Sequence, residues 1–362
     1  HRDPATGTFK VRIQGGVKTT LMALMGRDSM ALDVQSETAI GSSLLEVALV
    51  LDNTGSMADE GRMTALKSVS RKMVQDIFSN RPSGSTVRIG LVPFSHYVNV
   101  GMANRNQPWI SVPPDSTGSG SCIADLSSPL PVGCSWAKGT YTSDGNVLTF
   151  DYAKCATTDM HLCVNLEWSN SWHGCVGSRS GGLDTSVGST AVRYDGLLGI
   201  GCSSEIVDLT DDEAVVTAAI DAMGTYGETY VAPGLLWGWN VLTPEAPFSA
   251  AATDSVRAAQ SGSRALVLMT DGENTRSPSY PYHDGSDRAV ADSKTKTLCE
   301  NIKAEGITVY TVAFKVSDSN NLAMLRDCAS SPDAAFDASD DAGLAAAFES
   351  IGNTLSAARI VH

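Results

Sequence analysis

Three oxygen-bearing side chains follow a short apolar run in the first part of the chain. The apolar run over residues 47–51 ends at Asp52, and hydroxyl groups follow at Thr54 and Ser56. A strand that is buried on both faces needs such a run, and a parallel sheet binds ligands beyond the carboxyl ends of its strands. Because hard cations such as Mg²⁺ take oxygen ligands, this spacing predicts part of a site for a divalent cation.

Two later segments can supply further oxygens to such a site. A second apolar run, over residues 265–269, leads to Asp271 and a glycine. Between the two runs, Thr229 stands just before an apolar stretch that suits the start of a helix. Mg²⁺ is the cation we expect, with Ca²⁺ or Mn²⁺ as alternatives, because a small oxygen set that retains water suits the octahedral geometry of Mg²⁺.

Strands and helices alternate along most of the remaining sequence. Apolar residues at helical spacing predict helices at about 61–79, 211–223 (capped by Thr210), 231 onward, 287–304, 319–329 and 341–357. Short apolar or alternating runs predict strands at about 87–95, 97–100, 264–269, 307–314 and 335–337. This alternation implies an α/β fold with a doubly wound, mainly parallel sheet covered on both faces. Ligands of such a sheet bind where the strand order reverses, so we expect the cation there.

Residues 102–205 interrupt this alternation and are rich in Gly, Ser, Pro and Trp. We predict that they form a disulfide-stapled subdomain inserted into the α/β domain, because polar chain with few apolar anchors needs cross-links to stay ordered. Six cysteines can pair in many ways, and the sequence does not choose among them. The cysteines of this insert are Cys122, Cys134, Cys155, Cys163, Cys175 and Cys202.

The two remaining cysteines fall in consecutive predicted helices. Cys299 and Cys328 flank the predicted strand at 307–314, and we predict a disulfide between them. An even number of cysteines fits disulfides, and disulfides imply an oxidising compartment. We therefore expect an extracytoplasmic location, which would be the periplasm, the cell surface or the medium.

A zinc site is the alternative use of the cysteines in the insert. The pattern His-x-Cys occurs twice, at His161 to Cys163 and at His173 to Cys175. No Cys-x-x-Cys accompanies it, and the spacings usual for zinc are missing. Disulfides with two incidental histidines are the favoured interpretation.

Charge and hydropathy exclude two classes of partner for this chain. The sequence carries 26 Lys and Arg against 40 Asp and Glu, a net charge of −14, and shows no basic cluster, so nucleic acid is not an expected partner. No run approaches the ~18–20 apolar residues that span a bilayer. The chain begins at His1 rather than Met, so we expect a processed or truncated form, with any membrane anchor upstream.

The three oxygen-bearing segments together resemble the metal-ion-dependent adhesion site of von Willebrand factor A domains. That family's pattern is Asp-x-Ser-x-Ser, a distant Thr, and an Asp-Gly after a central strand. Thr54 replaces the usual first serine and keeps its hydroxyl group. The resemblance implies a Rossmann-like fold and this set of metal ligands: Asp52, Thr54, Ser56, Thr229 and Asp271.

Other segments resemble the TadG-like proteins of tight-adherence (Flp-type) pilus systems. The resemblance extends over residues 89–101, 298–314 and 325–332, and it excludes the insert. Alternation over 8–13 and 30–35 predicts strands in the region before the domain, as in the strand-rich stem of that family. The pilin-like helix that opens those proteins is absent here. The implied organisation is a stem over 1–45 and a von Willebrand A-type domain over 46–362, with the insert at 102–205.

The resemblance implies a binding module rather than an enzyme. The cation keeps one position open to water, and an acidic side chain of a protein partner can replace that water. Pilus or pilin-like subunits are the partners that the resemblance suggests. A metal-assisted hydrolase is the enzymatic alternative, with Glu228 or Glu273 as a base. We find no histidine beside the metal motifs, no Gly-x-Ser-x-Gly and no His-Glu-x-x-His, so no enzyme is expected.

A third hypothesis is a structural or tip subunit whose insert makes the contacts. Exposed aromatic side chains in or beside the insert could form an adhesive surface. They could equally fill the small core of the insert itself. The tryptophans concerned are Trp109, Trp136, Trp168 and Trp172.

Overall fold

The structure is a computed structural model that describes residues 2–3, 8–18, 29–39, 44–120, 134–143, 146–155, 163–189, 191–202 and 204–357. The strands are β1 (Arg2–Asp3), β2 (Thr8–Lys18), β3 (Ser29–Ala39), β4 (Leu44–Asp52), β5 (Thr86–Phe94), β6 (Val98–Asn99), β7 (Ile110–Ser111), β8 (Ser116–Gly120), β9 (Cys134–Ser143), β10 (Asn146–Cys155), β11 (Cys163–Asn170), β12 (Trp172–Val176), β13 (Tyr194–Leu198), β14 (Val207–Thr210), β15 (Ser263–Thr270), β16 (Ser277–Ser279), β17 (Tyr282–Gly285), β18 (Thr308–Phe314) and β19 (Ala335–Ala338). The α-helices are α1 (Arg62–Ser79), α2 (Glu213–Ala222), α3 (Val231–Val241), α4 (Asp254–Ala259), α5 (Arg288–Ala304), α6 (Ser319–Cys328) and α7 (Asp341–Ala357).

A parallel sheet in the order β19-β18-β15-β4-β5 forms the centre of the fold. Every residue of β4 is buried, which explains why this strand is a continuous apolar run rather than an alternating one. The next strand along the chain, β5, pairs with one edge of β4, whereas β15 pairs with the other. The strand order therefore reverses between β4 and β15. The predicted doubly wound, mainly parallel sheet is confirmed.

Helices cover both faces of this sheet and bury separate apolar clusters. On one face, α1, α2 and α7 pack against the odd-numbered residues of β4, such as Leu49 and Leu51. On the other face, α3, α5 and α6 pack against Ala48 and Val50. In α1, α5 and α6 the buried side chains recur at helical spacing, which is why the sequence pattern predicted these helices within a few residues of their observed bounds.

The cap of α2 is not the residue that the sequence suggested. The side chain of Asp212 accepts hydrogen bonds from the backbone N–H groups of Ala214 and Val215. Thr210, which we expected to be the cap, instead accepts a hydrogen bond from the N–H of Asp212. The prediction of Thr210 was wrong because the helix begins two residues later than expected, at Glu213.

The inserted segment contains strands that the sequence pattern did not predict. Strands β8, β11, β10 and β9 form a separate four-stranded antiparallel sheet. Strands β12, β13 and β7 extend the central sheet beyond β6. Strands β8 and β9 are rich in Ser, Thr and Gly, which are not typical of half-buried strands. Strands β10 and β11 do alternate apolar and polar residues, a signal that the sequence analysis did not use.

Two disulfides lie within the described residues. Cys175 of β12 is bonded to Cys202, and Cys299 of α5 is bonded to Cys328 of α6. The second bridge joins the two cysteines that the sequence analysis paired. Of the other four cysteines of the insert, Cys122 lies outside the described residues, and Cys134 and Cys155 are opposite residues of β9 and β10.

The first part of the chain forms a small antiparallel sheet in the order β1-β2-β3. The strands predicted at 8–13 and 30–35 lie within β2 and β3. No helix among the described ranges is both long enough and apolar enough to cross a membrane.

Candidate metal centre

The carboxylate of Asp52 is fixed at the end of β4 by two hydrogen bonds. Its Oδ1 accepts one from the backbone N–H of Thr54, with an N–O distance of 2.8 Å. Its Oδ2 accepts one from the hydroxyl group of Thr270, at 2.6 Å. Thr270 ends β15, so the carboxylate spans the two strands between which the strand order reverses. The buried Asp52 side chain is therefore held in one orientation.

A chain of short contacts joins the first segment to the third. The hydroxyl oxygens of Thr54 and Ser56 lie 3.0 Å apart. The hydroxyl group of Ser56 donates to Oδ1 of Asp271 at 2.7 Å. The structure thus brings the predicted ligands from the loops after β4 and β15 into one cluster of oxygens, as expected for parallel strands that end at the same edge.

The segment with Thr229 adjoins this cluster through the backbone. Gly55 N–H donates to the carbonyl oxygen of Gly227 at 2.9 Å, and Tyr226 N–H donates to that of Asn53 at 2.7 Å. The hydroxyl oxygen of Thr229 lies 3.9 Å from the position that a Cβ on Gly272 would occupy. This hydroxyl group therefore lies near the Asp-Gly turn after β15.

Asparagine side chains hold the surrounding loops in place. The carboxamide oxygen of Asn274 accepts a hydrogen bond from the N–H of Val231, the first residue of α3, at 2.8 Å. The carboxamide nitrogen of Asn321, in α6, donates to the carbonyl oxygen of Gly272 at 2.7 Å. The loop after β15 is thus tied to helices that the central core fixes.

Two carboxylates share this buried region, and their charges repel each other. Burial, and after it the negative charge of Asp271, raise the pKa of Asp52 to about 7. Hydrogen bonds from Thr270 and Thr54 oppose this shift but do not cancel it. Because a nearby positive charge would favour the ionised form of both groups, the region is suited to a cation.

The donor set fits a hard divalent cation. It consists of two carboxylates and three hydroxyl groups, all oxygen donors, and Mg²⁺ and Ca²⁺ take such ligands. In the part of the chain with described side chains, no group of three or more His, Cys, Asp or Glu is placed to hold a metal.

Sequence reasoning missed two residues of this site. Thr270 was not singled out, although its position beside Asp271 at the end of an apolar run was a usable signal. Arg62 also went unnoticed, yet its Nη1 donates to Oδ2 of Asp271 at 2.7 Å. Arg62 follows a short 3₁₀ segment over Gly55–Gly61 that contains Ser56. No regular helical spacing therefore indicated the contact between Arg62 and Asp271.

A cavity of about 300 Å³ lies beside the candidate centre. Its walls come from the turn after β5, from the end of the insert and from the β16–β17 hairpin. One wall residue, Arg276, pairs with Glu228 at 2.6 Å and donates its N–H to the carbonyl oxygen of Thr229. The lining residues are His96, Tyr97, Ile200, Gly201, Tyr226, Arg276, Tyr282 and Asp284.

Comparison with known proteins gives matches among solved structures alone. No known protein family and no curated protein matches the sequence. The pilus adhesin SpaC from Lactobacillus rhamnosus GG is 12% identical, with 98% of this chain and 35% of that chain covered and a TM-score of 0.48. The von Willebrand factor domain of the type V pili tip protein Mfa5 from Porphyromonas gingivalis is 12% identical, with 88% and 97% covered and a TM-score of 0.47.

Proximal thread matrix protein 1 from the mussel byssus, in a structure with a zinc-occupied MIDAS motif, is 11% identical, with 88% of this chain and 47% of that chain covered and a TM-score of 0.40. The present chain spans about a third of the length of SpaC. The matched structures include pilus proteins and von Willebrand A-type proteins, the class that the sequence motifs resemble. At these identities and TM-scores, the likeness carries no argument about function.

Proposed function

We propose that this chain is a von Willebrand A-type binding module that holds a divalent cation, Mg²⁺, and binds an acidic side chain of a protein partner through it. One observation carries the proposal. Four proposed ligands converge through a chain of contacts. Asp52 accepts a hydrogen bond from the backbone N–H of Thr54 at 2.8 Å, the hydroxyl oxygens of Thr54 and Ser56 lie 3.0 Å apart, and Ser56 donates to Asp271 at 2.7 Å. They do so where the strand order reverses, which is where α/β sheets bind ligands.

The ligand types explain why a partner's carboxylate would be attracted. Asp52, Thr54, Ser56, Thr229 and Asp271 would hold the cation. Three of these residues are neutral, so the two carboxylates leave a divalent ion electrophilic. A bound cation is then the largest local positive charge, and it supplies an open position for the carboxylate of the partner. The chain itself has a net charge of −14 and repels an acidic partner at long range. The attraction therefore has to come from the bound cation at short range.

A pilus-associated role is the setting we propose for this module. It rests on the resemblance of three segments to TadG-like proteins and on the disulfides, which point to an extracytoplasmic location. The partner would be a pilus or pilin-like subunit that presents an Asp or Glu side chain. The division into a stem over 1–45 and a domain over 46–362 with its insert at 102–205 belongs to the same proposal.

Titration calorimetry of EDTA-treated protein with Mg²⁺, Mn²⁺ and Ca²⁺ tests the metal site. The Asp52→Asn variant keeps the shape of the side chain and removes its charge, so we expect it to lose saturable binding. Asp333→Asn is the matched control, since Asp333 is exposed and lies on a short 3₁₀ segment at the other end of the sheet's edge strand. Unchanged Mg²⁺ affinity in Asp52→Asn would contradict the proposal.

Binding to purified tight-adherence pili tests the partner. We expect binding that Mg²⁺ supports, that EDTA removes, and that Asp52→Ala and Asp271→Ala abolish while the far-ultraviolet circular dichroism stays unchanged. Normal binding by both variants in excess chelator would show that the metal centre does not make the contact.

The insert offers a second candidate function, because its sheet exposes aromatic side chains. Trp136 and Trp168 are 47% and 40% exposed, and Tyr141 is 61% exposed. Tyr141 and Trp168 both pair with Leu148, so they share one face of the sheet. The other two tryptophans, Trp109 and Trp172, lie in the central core. Two of the four tryptophans are thus core residues, and two are available for contact.

Combined substitution of Tyr141 and Trp168 by Ser tests this alternative. If the insert makes the contact, the double variant should lose binding to purified pili, and EDTA should have no effect on the wild-type protein. A double variant that binds as well as the wild type would rule out this face of the insert as the contact surface.

A further inference from the structure

Both carboxylate oxygens of Asp271 are engaged before any cation arrives. Ser56 donates to Oδ1, and the guanidinium group of Arg62 donates to Oδ2, each at 2.7 Å. The Asp271 side chain is 0% exposed and that of Arg62 is 18% exposed. The contact between Arg62 and Asp271 is therefore a charge-assisted hydrogen bond that is largely shielded from water, and such bonds are stronger than those between neutral groups.

The local backbone is built to bring Arg62 back to the metal loops. The 3₁₀ segment over Gly55–Gly61 bends at Glu60 and Gly61, which both have positive φ, of 50° and 71°. Helix α1 then begins at Arg62 itself. Gly61 tolerates this left-handed conformation without strain, whereas Glu60 does so at a cost. The turn places Arg62 over a carboxylate that lies 209 residues later in the sequence.

The guanidinium group retains hydrogen-bonding capacity. Its Nε is buried and has no hydrogen-bond partner among the described residues. Its Nη2 lies 3.8 Å from Oε2 of Glu60, a largely exposed side chain. Because the guanidinium group has five N–H donors in a fork that matches a carboxylate, Arg62 can accept a second carboxylate as a partner.

We infer that Arg62 competes with the divalent cation for Asp271 and couples binding of the cation to binding of the acidic ligand; this inference rests on the proposed function. A cation that reaches Oδ2 of Asp271 has to displace the guanidinium group, and the two positive charges repel each other at short range. The incoming carboxylate of the ligand provides the displaced guanidinium group with a new partner.

Counting charges gives the same result. With both aspartates ionised, Asp52, Asp271 and Arg62 sum to −1, and a divalent cation changes the sum to +1. One carboxylate from a ligand then brings the sum to zero. The cation therefore binds the protein–ligand complex more tightly than it binds the free protein. The ligand likewise binds the protein–cation complex more tightly, so the coupling is reciprocal.

Calorimetric titration with Mg²⁺ alone tests the competition. We expect Arg62→Gln, which removes the competing charge, to bind Mg²⁺ about tenfold more tightly than the wild type, and Arg62→Lys, which keeps the charge, to stay within about threefold of it. Arg71→Gln is the matched control, because Arg71 lies on the same helix and pairs with Asp221 on the surface.

The outcomes separate the two ideas. Equal Mg²⁺ affinity in the wild type and Arg62→Gln, or weaker binding by the variant, overturns the inference and leaves the metal site standing. Absence of Mg²⁺ binding in both proteins overturns the proposed metal function and this inference with it. Thermal unfolding of Arg62→Gln in EDTA and in Mg²⁺ shows whether the variant folds, since Mg²⁺ should raise its Tm more than that of the wild type.

A second titration, in the presence of acetate, tests the coupling. Acetate should tighten Mg²⁺ binding by the wild type and by Arg71→Gln by the same factor, and by a smaller factor in Arg62→Gln. An equal effect of acetate on all three proteins would overturn the role of Arg62 as the second partner of the ligand.

Discussion

At the scale of single residues, the candidate centre depends on side chains that would not touch a cation. Thr270 is the clearest case, because its hydroxyl group donates to Oδ2 of Asp52 and so fixes which oxygen of Asp52 faces the loops. Partners of this kind orient metal ligands, and their loss typically lowers metal affinity by about 10–100-fold. The site is therefore larger than its five proposed ligands.

Thr270→Val removes that hydroxyl group and keeps the shape of the side chain. We expect Mg²⁺ affinity to fall at least about tenfold and the free energy of unfolding to fall by about 1–3 kcal/mol, because a buried acceptor loses its donor. Calorimetry and urea unfolding measure the two effects.

Thr311→Val is the matched control for this variant. Thr311 lies on the neighbouring strand β18 and donates to the carbonyl oxygen of Leu325 at 2.9 Å. It should lose similar stability and keep its Mg²⁺ affinity. Equal Mg²⁺ affinity in the two variants would show that Thr270 does not orient Asp52.

The residue scale also shows how far the sequence could predict the site. The proposed ligands Asp52, Thr54 and Ser56 are close together in the sequence, and Asp271 follows another buried strand, so alternation and strand ends identify them. Arg62 could not be found in this way, because a bend at Glu60 and Gly61 rather than a regular helix brings it to Asp271. A contact that depends on an irregular stretch of backbone is not indicated by any regular spacing of residues in the sequence.

At the scale of elements, α3 packs unusually close to the central sheet. All of its residues are buried, and it carries Gly234 and Gly238 on the side that faces β4. A Cβ on Gly238 would lie 2.5 Å from a methyl carbon of Val50 and 3.0 Å from one of Leu266. Because Val is stiff at χ1, Val50 cannot move away from such a Cβ without a cost in free energy.

Gly238→Ala should therefore destabilise the protein by about 1–3 kcal/mol, the usual cost of overpacking a core, although alanine favours the helix by about 1 kcal/mol. Gly352→Ala in α7 is the contrasting variant, because its new Cβ would meet the flexible side chain of Met73 at 3.1 Å. Urea unfolding should place Gly352→Ala at or above the wild type. A Gly238→Ala protein of unchanged stability would mean that α3 can shift away from the sheet.

His283 joins three elements in the same part of the molecule. It lies on β17, its Nε2 is 2.7 Å from the hydroxyl oxygen of Ser178 in the insert, and its Nδ1 contacts the carbonyl oxygen of His96 after β5. Its ring stacks on that of Tyr97. Burial lowers the pKa of His283 to about 4, although the contact with His96 opposes the shift. Both Ser178 and His283 are buried, which suits a structural junction rather than a catalytic pair.

This lowered pKa predicts the direction of a pH effect on stability. Between about pH 6.5 and 4, the unfolded chain takes up a proton at His283 and the folded chain does not, so stability falls as the pH falls. The full contribution is about 3 kcal/mol. Urea unfolding in EDTA at pH 7.5 and 4.5 measures it.

His283→Gln isolates the contribution of this residue, since all other groups titrate in both proteins. The variant should be less stable than the wild type at pH 7.5 and should lose less stability between pH 7.5 and 4.5. A loss as large as that of the wild type would place the proton uptake elsewhere.

The elements of the core were predictable and strand β8 of the insert was not, for one physical reason. Strands such as β4 and β15 are buried on both faces, and helices such as α5 bury one stripe, so each leaves an apolar pattern. Strand β8 carries no apolar side chain, and its partner β11 lies beyond β9 and β10 in the sequence. A strand that is held by backbone hydrogen bonds and buries no apolar side chains leaves no recognisable pattern of apolar residues in the sequence.

At the scale of the whole molecule, net charge sets how an acidic partner approaches. The chain has a net charge of −14, so association with another negatively charged molecule is slow at low ionic strength. Added salt screens this repulsion and raises the association rate, since the Debye length is about 10 Å at 0.1 M salt. A cation held at the proposed centre would have to act within that distance.

The association rate of a hexaglutamate peptide in Mg²⁺ should therefore rise as NaCl increases from about 20 to 150 mM, where the Debye length shortens. Surface plasmon resonance with immobilised protein measures the rate, and Asp52→Asn serves as the control for binding outside the centre. An association rate that falls with salt would show that a local positive field, rather than the net charge, dominates the approach.

The bridge between Cys175 and Cys202 has a mechanical consequence. The four-stranded sheet of the insert ends at Asn170, and the chain then passes through β12 and β13, which belong to the central sheet, before it reaches β14. The bridge closes the segment between its two cysteines, which are 27 residues apart, into a covalent ring. A tensile force along the chain from β12 to β14 would pass through the sulfur atoms and leave the backbone between the two cysteines unloaded. Pairing of β13 with β12 and β7 would still share the load, because the chain enters the insert from β7 and leaves it at β12.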